Sequence, residues 1–187
     1  IKEVSNSHLK VLLNNIFKDN KNIVSILPAT IDNHHPVRGG YLEHIVSIGK
    51  LAKKIKSHYK EIDVDLLIAG ILLRDIGIIK GFSSDLESDY TISGKLIGNT
   101  ILGWDIIKTS ISKINCFPKN TAKKLEYIIL SQDRVFSIKK SEIPIIPEAL
   151  LVHSLNEIDC KLNLVMRNIN DNLNLNDWIG NKDTFGK

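Results

Sequence analysis

The chain has 187 residues, 43% of them hydrophobic and 25% charged, which is typical of a globular domain and excludes a disordered or fibrous chain. No apolar run reaches the roughly 20 residues that a membrane-spanning helix needs, and no secretory leader is visible, so we expect a cytoplasmic protein with no membrane partner. The net charge of +4 favours an anionic partner such as RNA or a nucleotide. Cys116 and Cys160 lack zinc-type spacing and are expected to be reduced thiols.

The first predicted elements are helices separated by a polar loop. Ser7 can cap a helix within about residues 1–22, in which apolar side chains recur at helical spacing. The loop that contains His34 and His35 leads into a second long helix over about residues 41–59. Taken alone, the two histidines would be interpreted as solvent-exposed.

The remainder of the chain continues this pattern. Helices are predicted over about residues 90–110, 122–131 and 148–170, followed by an irregular, partly docked tail at about 171–187. Gly94, Gly98 and Gly103 inside the first of these helices indicate either close approach to a neighbour or a broken helix. No alternating strand pattern is present. The sequence therefore predicts an all-α bundle in one domain spanning 1–187, which an upstream domain could precede.

The stretch Leu66–Ile79 has an apolar surface on every side except at Arg74 and Asp75, and Asp63 can cap it. A helix without a polar face is a buried helix. Isolated buried charges are costly, so something must satisfy this arginine and this aspartate. Their surroundings are the best indicator of function.

Polar residues occur at similar places on successive predicted helices. Convergent polar side chains are how helical proteins build metal and phosphate sites. Purely structural roles remain open as alternatives to a functional site. His44 can be a core histidine with its ring hydrogen-bonded, and Asn99 and Gln132 can form local hydrogen bonds. The candidate residues from this pattern are His44, Arg74, Asp75, Asn99, Gln132, Asp133, His153 and Asp159.

Several motifs along the chain resemble a known family. They are His34-His35, Gly39-Gly40-Tyr41-Leu42-Glu43-His44, Asp65 to Gly70, Asp75-Ile76-Gly77, Tyr90-Thr91, Gly94, Leu96, Gly98, Ile129-Leu130-Ser131, Glu148-Ala149, His153, Asp159 and Lys161. In this order they are similar to the HD-domain phosphohydrolases, and most to the HD domain of YhaM-type 3′–5′ exoribonucleases. The resemblance implies an HD-domain helical bundle that binds a divalent metal. It also implies His44, Asp75 and Asp159 as remnant metal ligands, and it adds His34, His35 and Lys161 to the candidate pocket residues.

The same comparison shows departures from the family pattern. The histidine of the His-Asp pair is Arg74, and the histidine expected after Gly98 is Asn99. The expected His-His pair is Gln132-Asp133, the lysine expected after the His-Asp pair is Ile78, and an aspartate expected before Asp159 is Asn156. The resemblance therefore implies a degenerate metal site.

Arginine cannot replace a histidine ligand, because a guanidinium has no lone pair and stays protonated at ordinary pH. At about 4 Å it would repel a divalent ion by up to about 8 kcal/mol at an effective dielectric constant of 20. We therefore predict that Arg74 takes the place of the cation and bridges Asp75 and Asp159, with no bound metal.

Three functions remain as hypotheses. The first is a domain with weakened or lost catalysis and a structural, RNA-binding or assembly role, for instance as a homo-oligomer. The second is an active phosphohydrolase or 3′–5′ exoribonuclease that binds Mn, Mg, Fe or Zn through a rearranged site of His44, Asp75, Asp133 and Asp159, with Asp75 and Asp133 as the catalytic candidates. The third is a metal-free nucleotide sensor in which Arg74 holds a phosphate.

Overall fold

The computed structural model describes residues 1–83, 88–132 and 146–171. Within these ranges every regular element is a helix, and Phe82 and Tyr90 form one isolated antiparallel bridge. The all-α prediction is confirmed. The helices are α1 (Ser7–Asp19), α2 (Lys21–Val24), α3 (Gly40–His58), α4 (Val64–Leu73), α5 (Ile78–Gly81), α6 (Ile92–Ile97), α7 (Asn99–Ser112), α8 (Lys119–Leu130) and α9 (Pro147–Asp171).

Side-chain caps fix where several helices begin. Asp63 caps α4 by accepting a hydrogen bond from the backbone N–H of Leu66 at 3.0 Å, as predicted. Asn6, and not the predicted Ser7, caps α1 by accepting from the N–H of Leu9 at 3.1 Å. Ser7 is instead the first residue of that helix. Both residue types can cap, and the extended backbone of Asn6 decides between them.

Helix α4 is the centre of the bundle and packs against α1, α3, α8 and α9. Leu66, Leu67 and Leu73 are fully buried, as expected for a helix with no polar face. Polar side chains tether its ends to its neighbours. The Tyr41 hydroxyl on α3 donates to the Leu72 carbonyl at 3.0 Å, and the Glu148 carboxylate on α9 accepts from the Asp63 N–H at 2.8 Å.

The chain leaves the helix after Leu73, within the stretch Leu66–Ile79, so only the first part of that stretch belongs to the buried helix α4. Residues 74–77 form a turn, with hydrogen bonds from the Ile76 N–H to the Leu73 carbonyl at 3.2 Å and from the Ile78 N–H to the Asp75 carbonyl at 3.1 Å. The four-residue helix α5 follows. The turn places Arg74 and Asp75 at the end of the central helix, beside α3 and α9.

Glycines allow the backbones of α5, α6 and α7 to touch. A Cβ atom on Gly77 would lie 1.9 Å from the carbonyl oxygen of Asn99, and one on Gly94 would lie 2.1 Å from that of Gly81. Gly98, at φ +83°, separates α6 from α7. The helix predicted over 90–110 is therefore broken at Gly98. The close approach to a neighbour, which was the other interpretation of its glycines, is present as well.

No helix in the described ranges is long and apolar enough to cross a membrane.

We predict that Gly77→Ala lowers the free energy of unfolding by about 2 kcal/mol, because its methyl group would collide with backbone atoms that cannot move aside cheaply. Gly49→Ala is the matched control. A Cβ atom there meets nothing within 4 Å, and in the interior of α3 the substitution should raise stability by about 1 kcal/mol. Urea denaturation measures both, and equal effects would contradict the close approach.

Candidate functional site

His44, on the buried face of α3, lies between the carboxylates of two other segments. Its Nδ1 is 2.8 Å from Oδ2 of Asp159 on α9, and its Nε2 is 3.7 Å from Oδ2 of Asp75. Nε2 also lies 3.0 Å from the amide oxygen of Asn156. Both ring nitrogens therefore face oxygen acceptors, which is the environment of a doubly protonated imidazolium.

The pKa values follow from this geometry. Burial alone would lower the pKa of His44, but the hydrogen bond to Asp159 and the negative charges of Asp159 and Asp75 outweigh it and raise the pKa to about 9. Burial alone would raise the pKa of Asp159, but the hydrogen bonds from His44, Ser47 and His35 lower it to about 2. His44 is therefore positive and Asp159 negative at neutral pH.

Arg74 points into the same site and pairs with Asp75. Its Nη1 is 2.6 Å and 2.7 Å from the two carboxylate oxygens, and its Nε donates to the amide oxygen of Gln132 at 3.2 Å. Burial would raise the pKa of the Asp75 carboxyl, but the Arg74 and His44 charges hold that pKa far below its usual range. The predicted pairing of Arg74 with Asp75 is present in the structure.

The other half of that prediction needs correction, because Asp159 takes its described hydrogen bonds from residues other than Arg74. His35 Nε2 lies 2.9 Å from its Oδ2, His44 lies at the distance given above, and the Ser47 hydroxyl donates to Oδ1. The two aspartates are linked through the His44 ring and not through the guanidinium. The imidazolium has the shape to lie between them, since its two N–H groups point in divergent directions.

The loop before α3 brings both predicted histidines to the site, and His35 is only 5% exposed. His35 has a left-handed backbone (φ +45°), and its N–H donates to the side-chain oxygen of Asn163 at 2.9 Å. The ring of His34 lies 4.7 Å from that of His44. Burial and the neighbouring charge of His44 lower the pKa of His34 to about 4, so this ring is neutral.

The remaining predicted residues lie at different distances from His44 and Asp159, and only some of them contact the site. Gln132 is buried at the end of α8, where it holds Arg74 and donates to the Ile128 carbonyl at 2.5 Å. Asn99 begins α7 and packs against Gly81. Lys161 was predicted to line the pocket, but its ammonium pairs with Glu157 at 2.7 Å on the solvent side of α9. The i, i+4 spacing favours that partner.

His153 lies half-buried on α9, and Asp133 falls outside the described residues. Some residues with contacts in the site were not among the candidates: Ser47, Asn156, Asn163 and Cys160. Ser47 follows His44 by three residues on α3, and Asn163 follows Asp159 by four on α9. Helical spacing from a predicted site residue was the signal that could have found them.

The residues present do not fit a hard divalent ion held by His44, Asp75 and Asp159. The ring of His44 separates the two carboxylates, and Arg74 already neutralises Asp75. With His44 protonated, the charges of Arg74, His44, Asp75 and Asp159 sum to zero. Among the described residues, two other groups bring three donor atoms within 4.8 Å of one another: His35, His44 and Asp159, and His34, His44 and Cys160.

Curated proteins give the comparison that bears on this site. The chain is 28% identical over 165 residues to the 3′–5′ exoribonuclease YhaM of Shouchella clausii, and 28% identical over 165 residues to that of Halalkalibacterium halodurans. The chain is similar to the YhaM 3′–5′ exoribonucleases. Each match covers 88% of this chain but only 51% of the relative, so the chain spans about half the length of these curated relatives. No family model matches the chain, and no solved structure matches it significantly.

We predict that Arg74 and Asp75 are energetically coupled. A double-mutant cycle with Arg74→Met and Asp75→Asn should give a coupling energy of about 1–3 kcal/mol, because the pair is partly buried and charge-assisted. The matched control is the ion pair of Lys80 and Asp105, which joins two half-exposed side chains at 2.9 Å and should give less than about 1 kcal/mol. Similar coupling in both cycles would show that the guanidinium has no special role in the site.

Proposed function

We propose that this chain is a degenerate HD-domain protein that resembles a metal-dependent 3′–5′ exoribonuclease and has lost phosphodiester hydrolysis, retaining a role in binding RNA or a nucleotide. The observation that carries the proposal is the pairing of Arg74 with Asp75. A hydrolytic metal activates water and neutralises developing charge on the phosphate. Here the group beside Asp75 is a guanidinium, which binds anions but cannot generate a nucleophile.

The serine in the site offers no substitute nucleophile. Ser47 donates its hydroxyl to the Asp159 carboxylate, but the hydrogen bonds to this carboxylate lower its pKa to about 2, so it is too weak a base to activate the serine. The neighbouring His44 is an imidazolium between acceptors, and it has no free lone pair while it remains protonated. The described side chains therefore support binding better than hydrolysis.

A groove between α3 and α9 supports RNA as the partner. It has a volume of about 480 Å³, and His35 and Asp159 are among its lining residues. Lys50 and Lys54 lie one helical turn apart in its lining, which also includes Leu162. Lysines along a groove suit the phosphates of a single strand. The similarity to YhaM exoribonucleases favours RNA over other polyanions.

One observation favours the alternative, an active phosphohydrolase with a rearranged site. His35, His44 and Asp159 bring two nitrogens and one carboxylate oxygen within 4.8 Å of one another, and such a donor set can hold Mn, Fe or Zn. His44 would first have to lose a proton and its hydrogen bond to either Asn156 or Asp159. Asp75 and Asp133 would be the further candidate residues of this alternative.

We expect no shortening of an RNA labelled at its 5′ end when it is incubated with the chain and Mn²⁺, because no described group can activate water beside Asp75. Arg74→His should bind Mn²⁺ at least tenfold more tightly than the original chain, since it removes the fixed charge and restores a nitrogen ligand. Stepwise loss of 3′ nucleotides with the original chain, abolished by Asp159→Asn, would establish the alternative.

Binding of the same RNA without added metal tests the retained role. Affinity should fall with salt, and Lys50→Glu with Lys54→Glu should weaken binding at least tenfold at low salt. The matched control, Lys18→Glu with Lys108→Glu, makes the same charge change on the exposed surfaces of α1 and α7. Equal weakening in both variants would indicate a non-specific effect of net charge. Thermal stabilisation by mononucleotides but not RNA would favour the nucleotide sensor.

A further inference from the structure

A second group of potential ligands lies beside His44, and it differs chemically from the set that the family resemblance implies. One ring nitrogen each from His34 and His44 and the Sγ atom of Cys160 come within 4.8 Å of one another. The group combines three separate segments: the loop before α3, α3 itself and α9. Two nitrogens and one sulfur are soft donors, which prefer Zn²⁺ or Co²⁺ to Mg²⁺ or Mn²⁺.

The His34 ring has an available nitrogen. Its Nδ1 is buried and has no hydrogen-bond partner among the described residues. Most buried polar atoms are satisfied, so this unpartnered nitrogen needs an explanation. A metal ion would provide that nitrogen with a partner.

His44 is already held in the way that zinc-binding histidines are held. Asp159 accepts from Nδ1, so Nε2 is the nitrogen that would bind, with the metal replacing its hydrogen bond to the Asn156 amide oxygen. A carboxylate behind a ligating imidazole is the usual support of such a ligand, because it fixes the ring and its tautomer. Ser47 and His35 in turn hold the Asp159 carboxylate.

The donor set separates this site from a hard-ion site at Asp75. None of its three ligands is Asp75, so Arg74 can remain on that carboxylate. An ion held by Asp75 would instead have to displace the guanidinium.

We propose that His34, His44 and Cys160 form a binding site for a thiophilic divalent cation such as Zn²⁺, which shares only His44 with the ion position that the resemblance to HD domains implies. The site is structural or regulatory and contributes no hydrolytic step. Occupancy would tie the loop before α3 to α9.

Co²⁺ is the spectroscopic probe for this site. Added to the whole chain after chelator treatment, it should produce a near-ultraviolet thiolate-to-cobalt absorption band that saturates at one equivalent and disappears when Zn²⁺ is added. Cys160→Ser should abolish the band, and His34→Asn should weaken Co²⁺ binding at least tenfold. Cys116→Ser, which changes the exposed cysteine, is the matched control and should leave the band intact. Far-ultraviolet circular dichroism confirms that each variant is folded.

Alkylation provides a measurement that does not depend on a variant. In the original chain, Zn²⁺ should slow modification of Cys160 by iodoacetamide at least tenfold, while Cys116 reacts at an unchanged rate. Cobalt binding without a sulfur band, a band that survives Cys160→Ser, or equal labelling of Cys160 with and without Zn²⁺ would overturn the proposal. None of these results depends on whether the chain hydrolyses or binds RNA.

Discussion

The contact between the Arg74 guanidinium and the Asp75 carboxylate determines how the rest of the site is arranged. The pair lies where the buried helix α4 ends and four other helices surround it. A permanent cation at 2.6 Å keeps Asp75 ionised and removes any electrostatic need for a divalent ion. The amide oxygen of Gln132, just after α8, accepts a hydrogen bond from Arg74 Nε, so this part of the chain contributes to the same arrangement.

His44 completes the charge balance, and it also joins the helices. Its ring connects α3 to α9 through Asp159 and approaches the turn after α4 through Asp75. The Asp159 carboxylate on α9 also accepts hydrogen bonds from His35 in the loop before α3 and from Ser47 on α3. One carboxylate therefore connects a loop and two helices. Buried ionic groups are stable only when all of them are paired, and this site meets that condition without a metal. The same connections give His44 a supported ring, on which the proposed zinc site depends.

Local sequence signals predicted much of this structure. The apolar surface of α4 and its Asp63 cap predicted a central buried helix, and the spacing of apolar residues predicted the helical bundle. The grouping of His44, Arg74, Asp75 and Asp159 followed from polar residues at similar places on successive helices. The pairing of Arg74 with Asp75 needed only their adjacency and the cost of isolated buried charge.

The features that were not predicted depend on contacts between distant parts of the chain. The helix ends at Leu73, and Gly77 lies against the backbone of α7. His35 is buried, has a left-handed backbone, and contacts Asp159, which lies 124 positions away in the sequence. Cys160 was expected to be a reduced thiol without metal-type spacing. Its relation to His34 depends on the packing of the loop on α9, which no short-range pattern reports.

The most direct measurement is anomalous diffraction from crystals of the whole chain grown with Mn²⁺. We expect no manganese peak within ligand distance of the Asp75 carboxylate, and electron density for the Arg74 guanidinium on that carboxylate. A manganese ion bound by His44, Asp75 and Asp159, with the guanidinium turned outward, would contradict the account.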